Sequence, residues 1–241
     1  MTAALSPTSQ SALPENSTLK QQRPQVAAYA KKVVAIGDSL IYGYGDSEGG
    51  GWVERLRLQW MNPDQPGPIL YNLGVRGDGV KQVSNRLARE FCDRGELRHR
   101  TPDILVLSFG TNDSARAGRP GGRAVTDPQT FEQSVAQLLQ QASKLCPVYF
   151  VGMVPVNETA MPFANILHYS HSEQRRYRDI TRQLCETYQI EYLDLFEQWM
   201  QQGESWICDH LCTDGIHPNS LGYRTILNTV KAWQPFMNAI Q

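Results

Sequence analysis

Five short apolar segments, separated by segments of helical character, constrain the fold of this chain more than any other feature. The apolar segments are Val33–Ile36, Ile69–Val75, Asp103–Phe109, Pro147–Val154 and Ile190–Phe196. They are short and apolar at most positions, which is typical of buried parallel strands. Helices are predicted between and after them, at residues 52–60, 80–91, 127–139, 172–188 and 221–230. This alternation predicts an α/β fold with a five-stranded parallel sheet, covered by helices on both faces and joined by right-handed crossovers.

The charge and cysteine content exclude several classes of protein. The chain contains 23 Lys and Arg against 24 Asp and Glu, so it lacks the excess positive charge of nucleic-acid-binding proteins, and we expect no nucleic-acid partner. No apolar run approaches the roughly 18 residues of a transmembrane helix, and the N-terminus lacks the features of a secretory leader. The five cysteines are odd in number and widely spaced, unlike a disulfide framework, so we expect a cytoplasmic protein.

The first residues differ in composition from the rest of the chain. Met1–Pro24 is rich in Ser, Thr, Gln and Pro and contains few large apolar residues. Such a segment buries too little apolar surface to offset the entropy that is lost on ordering. We therefore expect residues 1–30 to be a flexible tail and residues 31–241 to form a single folded domain.

A serine follows the first predicted strand. The sequence Gly37-Asp38-Ser39-Leu40 ends the apolar run with small, polar, turn-forming residues. In parallel α/β sheets, ligands bind outside the carboxyl ends of the strands, so a serine in this loop is a candidate nucleophile. The alternative is that Asp38 or Ser39 only caps a helix.

A carboxylate and a histidine lie close together near the C-terminus. In Asp214-Gly215-Ile216-His217-Pro218 they are three positions apart, with a glycine between them. This spacing lets the loop fold back so that Asp214 accepts a hydrogen bond from Nδ1 of His217, which leaves Nε2 free to act as a base toward a serine hydroxyl. The alternative is that Asp214 forms a turn and His217-Pro218 begins a helix.

Neither a metal nor a nucleotide site is predicted. Cys208, His210 and Cys212 could suggest zinc, but no fourth ligand with suitable spacing follows. Glycines 49–51 precede a predicted helix, but the Lys-Ser/Thr of a phosphate-binding loop is absent. We therefore expect no metal and no cofactor.

Two long loops should lie over the same edge of the sheet. Residues 114–126 contain Arg116, Arg119 and Arg123 and show no periodicity, which predicts a mobile loop. Its arginines could favour an anionic substrate, although a solvated loop is the favoured interpretation. Residues 155–170 include several apolar side chains that could line an acyl pocket or simply pack within the loop.

Together these segments form a recognisable pattern. In chain order they are Gly37-Asp38-Ser39-Leu40, Gly74, Gly110-Thr111-Asn112-Asp113 and Asp214-Gly215-Ile216-His217-Pro218. The pattern resembles the SGNH hydrolase family, also called GDSL esterases and lipases, over nearly the whole predicted domain. The resemblance implies a flavodoxin-like three-layer α/β/α sandwich with Ser39 as nucleophile, His217 as general base and Asp214 as its orienting partner. It also implies an oxyanion hole formed by the N–H groups of Ser39 and Gly74 and the side-chain amide of Asn112.

The chemistry of these residues agrees with the resemblance. Ser39, Gly74 and Asn112 all follow apolar strands and should converge on one crevice, where a glycine permits close backbone approach and an asparagine offers N–H donors. The alternative of an α/β-hydrolase fits less well, because Ser39 is not part of a Gly-x-Ser-x-Gly sequence.

We therefore expect a serine hydrolase that cleaves small carboxylic esters through an acyl-enzyme. The modest apolar content of residues 155–170 suggests a preference for short acyl groups. Acyl esters, thioesters, lysophospholipids and acetylated sugars all remain open as substrates. The alternatives are a non-catalytic flavodoxin-like ligand-binding module and an acyltransferase that uses the same residues.

Overall fold

A parallel β-sheet forms the centre of the molecule. The computed structural model describes residues 30–93 and 101–241. The strands of the central sheet are β1 (Lys32–Gly37), β2 (Ile69–Gly74), β3 (Ile104–Ser108), β4 (Val148–Val151) and β5 (Glu191–Leu193). Over the described residues this sheet has five strands, in the spatial order β2-β1-β3-β4-β5, and all neighbours run parallel. The predicted five-stranded parallel sheet is confirmed.

Helices cover both faces of this sheet. They are α1 (Ser39–Tyr42), α2 (Gly51–Trp60), α3 (Val80–Asp93), α4 (Pro128–Ala142), α5 (His171–Thr187), α6 (Leu195–Met200), α7 (Glu204–His210), α8 (Ser220–Ala232) and α9 (Gln234–Ala239). Side chains alternate along β1, so Val33 and Ala35 pack with α2, α8 and α9, while Val34 and Ile36 pack with α3, α4 and α5. The two apolar cores make the three-layer α/β/α sandwich that the sequence predicted.

The strand register brings three strand ends together at one edge of the sheet. Gly37, at the end of β1, is paired with Gly74 of β2 on one side and with Ser108 of β3 on the other. A side chain at Gly37 would not fit, because an added Cβ would lie 1.9 Å from the Ser108 carbonyl oxygen. The loops that follow β1, β2 and β3 therefore leave the sheet side by side.

The last strand is shorter than predicted. The apolar segment Ile190–Phe196 suggested one continuous strand, but β5 ends at Leu193. Asp194 then caps α6, because its Oδ1 accepts a hydrogen bond from the Glu197 N–H at 3.2 Å. A side-chain cap of this kind satisfies a helix donor that an extended chain would leave free. The short helices α6, α7 and α9 were not predicted.

The segment 114–126 contains two short strands, whereas its lack of periodicity predicted a loop. Its strands Arg116–Ala117 and Arg123–Ala124 pair antiparallel, and Arg116–Ala117 also pairs with Leu167–His168. The Arg116 guanidinium is mostly buried and lies 2.7 Å from the Glu173 carboxylate on α5. The interpretation as a solvated loop is therefore wrong for Arg116, whereas Arg119 and Arg123 are exposed. Strands of two residues have too few positions to show periodicity in a sequence.

The predicted N-terminal tail, residues 1–30, lies outside the described residues except for Ala30. Among the helices in residues 30–93 and 101–241, none has the length and apolar character needed to cross a membrane.

Candidate active site

Ser39 lies at the N-terminus of a very short helix, directly beyond β1. The preceding residue, Asp38, caps this helix, since its Oδ1 accepts a hydrogen bond from the Leu40 N–H at 2.9 Å. The backbone N–H of Ser39 has no acceptor among the described residues. On the other side, the Tyr223 hydroxyl donates to the Ser39 carbonyl at 3.2 Å and holds this turn against α8. The turn therefore presents a hydroxyl and a free N–H together.

The local fold of the loop before α8 brings Asp214 and His217 into contact. Oδ1 of Asp214 accepts hydrogen bonds from the N–H groups of Ile216 at 3.0 Å and His217 at 3.1 Å, while Gly215 turns the chain with φ +73°. Oδ2 lies 2.7 Å from His217 Nδ1. Because an ionised carboxylate only accepts, Nδ1 carries the proton in this contact.

Nε2 of His217 lies 3.0 Å from the Ser39 hydroxyl oxygen. The three side chains predicted as catalytic thus form one hydrogen-bonded series, although 178 residues separate Ser39 from His217. Partial burial raises the pKa of Asp214, but the hydrogen bonds from His217 and Ile216 outweigh it and lower that pKa to about 2. Asp214 therefore stays ionised over the whole pH range in which histidine changes charge.

Two aromatic rings enclose the histidine. The Tyr44 ring meets His217 edge to face with 4.6 Å between centroids, and the Phe163 ring lies 6.1 Å away. His217 is buried as a result, with 8% of its surface exposed. The packing restricts ring rotation and keeps bulk water away from most of the imidazole.

Asn112 begins a short 3₁₀ helix, Asn112–Ser114, just after β3. Its Nδ2 donates a hydrogen bond to the Asp78 carbonyl oxygen at 2.9 Å. One of the two N–H bonds of the amide is used in this way, and the second is left for another acceptor. The predicted donor is therefore held by the loop that follows β2.

Gly74 does not have the free N–H that the sequence analysis expected. Its N–H donates to Asn72 Oδ1 at 3.0 Å. The absence of a side chain at Gly74 serves packing instead, because an added Cβ would lie 2.0 Å from the Tyr42 backbone nitrogen. The assignment of Gly74 as an oxyanion donor is therefore corrected.

A second glycine in the same loop was missed. Gly77 has φ +83°, and its N–H has no acceptor among the described residues. It precedes Asp78, whose carbonyl oxygen accepts from Asn112, so this free N–H belongs to the loop that holds the Asn112 amide. The signal in the sequence was the second glycine of Gly74-Val75-Arg76-Gly77, a turn position that favours positive φ.

Buried carboxylates lie behind this edge of the sheet. Burial, together with the charges of Asp113 and Asp78, raises the pKa of Asp38 to about 7. Burial also raises the pKa of Asp113, which accepts hydrogen bonds from the Val80 N–H at 3.0 Å and the Thr126 hydroxyl at 2.8 Å. Asp113 therefore joins the start of α3 to the segment before α4.

An open cavity of about 760 Å³ borders the site on the Asp214 side. Tyr42, Tyr44, Asn72 and Thr213 contribute to its lining. The Arg76 guanidinium carbon lies 3.5 Å from the centroid of the Tyr44 ring, a cation–π contact at the surface. Nothing in the sequence marks Tyr44 or Arg76 as part of a site, because single aromatic and basic residues in a loop carry no pattern.

The other polar residues considered in the sequence have local partners. Nδ1 of His210 lies 2.8 Å from the Trp206 carbonyl oxygen, and the Cys212 thiol contacts the carbonyl oxygens of Gly45 and Pro218. Across the described part of the chain, no three His, Cys, Asp or Glu side chains are grouped as metal ligands would be.

A family model and several known proteins match most of the chain. A sequence model of the GDSL-like lipase/acylhydrolase family matches residues 35–225. The chain is 25% identical over 215 residues to thioesterase 1/protease 1/lysophospholipase L1 of Escherichia coli K12, covering 88% of each protein. It is 24% identical over 196 residues to platelet-activating factor acetylhydrolase IB subunit alpha1 of Homo sapiens, covering 81% of this chain and 71% of the relative.

Solved structures share the fold at lower identity. An α/β hydrolase enzyme from the metagenome of Lake Arreo superimposes with a TM-score of 0.62 at 20% identity, covering 87% of this chain and 98% of that one. An acetylxylan esterase from Geobacillus stearothermophilus gives a TM-score of 0.63 at 15% identity, covering 87% and 94%.

Proposed function

Because the chain belongs to the GDSL-like lipase/acylhydrolase family, we propose that it is a serine hydrolase that cleaves carboxylic esters through an acyl-enzyme. The observation that supports this proposal is the hydrogen-bonded series from Asp214 to His217 to Ser39, with distances of 2.7 Å and 3.0 Å. A base between a hydroxyl and an ionised carboxylate is the arrangement that activates serine as a nucleophile.

In the first half-reaction, Oγ of Ser39 attacks the ester carbonyl carbon while His217 Nε2 accepts the hydroxyl proton. Asp214 stabilises the imidazolium that results. When the tetrahedral intermediate collapses, the bond to the leaving oxygen breaks and His217 donates its proton to that oxygen. The products are a free alcohol and an acyl group esterified to Ser39.

In the second half-reaction, water replaces the alcohol. His217 accepts a proton from the water as its oxygen attacks the acyl carbon, and collapse of the new intermediate returns the proton to Ser39. The acid is released, and the three side chains regain their starting protonation. An alcohol in place of water would give acyl transfer by the same steps.

The negative charge on the carbonyl oxygen needs donors that are already in place. The free N–H of Ser39, the second N–H of the Asn112 amide and the free N–H of Gly77 are the candidates. Donors fixed before the reaction cost no reorganisation when the charge appears, which is why such groups lower barriers strongly.

Short acyl groups are the favoured substrates. Within residues 155–170, Met161, Phe163 and Leu167 pack in a small apolar cluster with Tyr169 and Ile216. These contacts occupy part of each of the three side chains, so less apolar surface is left to bind a long acyl chain, although Ile166 in the same segment is exposed. The names of the two relatives include thioesterase, lysophospholipase and acetylhydrolase, so thioesters and acetyl esters belong in the same assay.

Labelling by a fluorophosphonate probe tests the proposal directly. The wild-type protein should be modified at Ser39, and the Ser39→Ala variant should not be modified. Ser134→Ala is a matched control, because Ser134 lies on α4 and its hydroxyl donates to the Thr130 carbonyl oxygen. A folded wild-type protein without label would instead support a non-catalytic binding module.

A panel of p-nitrophenyl esters of increasing acyl length, with acyl-CoA and acetylated sugars alongside, then tests the substrate class. We expect kcat/KM to be highest for acetyl and butyryl esters. A rate that rises steadily to the longest chains would contradict the preference for short acyl groups. Added alcohol that diverts product from acid to ester would indicate acyl transfer.

A further inference from the structure

Arg86, on the sheet-facing side of α3, binds the ends of two strands and a loop at once. Its Nε donates to Asp78 Oδ2 at 2.8 Å and its Nη2 donates to the Gly37 carbonyl oxygen at 2.8 Å. Its Nη1 donates to the Leu73 carbonyl oxygen and to Glu90, each at 2.9 Å. Only 16% of the side chain is exposed. The guanidinium therefore lies just beneath the edge of the sheet where the candidate active site is built.

Asp78, which Arg86 binds through its side chain, also contacts the Asn112 amide. Arg86 holds the Asp78 side chain, and the carbonyl oxygen of the same residue accepts the hydrogen bond from Asn112 Nδ2 at 2.9 Å. Gly77, with its free N–H, is the adjacent residue in this loop. The direction in which Asn112 and Gly77 present their donors therefore depends on where Arg86 holds Asp78.

Arg86 also binds Gly37, which precedes Ser39 by two residues in the chain. The Gly37 carbonyl oxygen accepts from both Arg86 and the Val75 N–H, the latter at 2.9 Å. Both lone pairs of this oxygen are thus used, which fixes the peptide plane just before the turn that carries Ser39. Because Arg86 also binds Leu73, the ends of β1 and β2 are held in one relative position.

The geometry of this contact requires an arginine. The guanidinium uses three nitrogens in one plane to reach two carbonyl oxygens and two carboxylates. A lysine has the same charge but a single nitrogen, so it could satisfy only part of this set. The carboxylates of Asp78 and Glu90 both pair with the guanidinium, and Asp78 would be left unpaired if the arginine were removed.

We propose that Arg86 is a positioning residue that sets the spacing between the Ser39 N–H and the donors of Asn112 and Gly77. The proposal rests on the proposed serine hydrolase function. Arg86 does not touch the substrate; it acts through the peptides that do. A shift of donors by about 1 Å costs on the order of 10²-fold in rate, so loss of this spacing should be visible in kcat.

The Arg86→Lys variant tests this role, since it keeps the charge and loses the three-nitrogen fork. We expect kcat for a p-nitrophenyl acetyl ester to fall about 10²-fold, with KM changed less than about threefold. The affinity for a trifluoromethyl ketone, which forms a tetrahedral adduct with serine, should fall in parallel, whereas binding of a planar, unreactive ketone analogue should not. Arg89→Lys is the matched control, because Arg89 lies on the same helix with 88% of its side chain exposed.

A structural role alone would give a different result. A purely structural role would lower the melting temperature and the folded fraction. The kcat per molecule titrated at Ser39 would stay at the wild-type value, and so would the ratio of the two inhibitor affinities. That result would overturn the proposal. If Arg86→Lys does not fold, the double variant Arg86→Gln/Asp78→Asn, which leaves no unpaired carboxylate at residue 78, should show the same loss of kcat. Wild-type kcat in that variant would likewise overturn the proposal.

Failure of the proposed function would look different again. A wild-type protein that neither reacts with the fluorophosphonate nor hydrolyses any ester removes the serine hydrolase assignment and the role of Arg86 with it. An active wild-type protein with an equally active Arg86→Lys variant removes Arg86 alone.

Discussion

Replacing Asp214 by asparagine should disable the histidine while leaving the loop intact. The new side chain could keep an oxygen where Oδ1 now accepts from the Ile216 and His217 N–H groups at 3.0 Å and 3.1 Å. The amide NH₂ would then face His217 Nδ1, where Oδ2 now lies at 2.7 Å. Because an NH₂ group donates, Nδ1 must become the acceptor and the proton moves to Nε2. A protonated Nε2 cannot accept the Ser39 proton.

The expected loss is large because the base is in the wrong tautomer in nearly every molecule. An Asp→Asn change at an equivalent place in a serine protease lowers kcat by about 10⁴-fold, so we expect a loss of about 10³–10⁴-fold here. That corresponds to about 4–5.5 kcal/mol in the activation free energy. Since the two backbone hydrogen bonds to Oδ1 survive, the melting temperature should change by only a few degrees.

The assay is kcat and KM for a p-nitrophenyl acetyl ester at mildly alkaline pH, with the melting temperature measured on the same preparation. Asp127→Asn is the matched control: Asp127 caps α4 by accepting from the Thr130 N–H at 3.0 Å, and asparagine caps helices equally well. A folded Asp214→Asn variant with kcat within about tenfold of wild type would refute the role of Asp214.

Three further predictions concern Asn112, Asp46 and Asp38. Asn112→Ala should lower kcat by about 10²–10³-fold with little change in KM, and a destabilised variant with normal kcat per folded molecule would contradict a role in the oxyanion hole. The Asp46 side chain is fully buried and is bound by Arg55 at 2.6 Å and by the Ser220 hydroxyl at 2.8 Å. The Asp46→Ala change should lower the protein's free energy of unfolding by about 3–5 kcal/mol. A loss below about 1 kcal/mol, measured by urea denaturation, would contradict this. Burial and nearby carboxylates raise the pKa of Asp38 to about 7. The folded state therefore binds the Asp38 carboxyl proton more tightly than the unfolded state does. As a result, the stability that Asp38 contributes falls as pH rises from about 4 to about 7. The stability gained by Asp38→Asn should therefore be greater above about pH 7 than near about pH 5, and a difference independent of pH would disprove it.

The local chemistry of two segments was sufficient to predict how they fold. Asp214 and His217 are three residues apart, so their contact depends mainly on the turn at Gly215. Ser39 follows a strand that is buried at every position, and such a strand delivers its next residues to the carboxyl edge of the sheet. The alternation of apolar and helical segments likewise determined the order of strands and helices, because each segment carries its own periodicity.

The identity of the hydrogen-bond partners was decided by the tertiary structure. Gly74 and Gly77 look equivalent in the sequence, but the Gly74 N–H binds Asn72 while that of Gly77 has no acceptor among the described residues. Asp194 could have continued a strand and instead caps α6. Which option is realised depends on where neighbouring groups lie, and local propensity does not contain that information.

Arg86 shows most clearly the difference between what the sequence determines and what the tertiary structure decides. The sequence determined that it lies on a helix, where an arginine is most often a solvent-exposed residue. Only the side-by-side arrangement of β1 and β2 brings the Gly37 and Leu73 carbonyl oxygens within reach of one guanidinium, 49 and 13 residues away along the chain. Periodicity reports which face of an element is buried, whereas the spacing of donors at a reacting atom depends on contacts between elements that are distant in sequence.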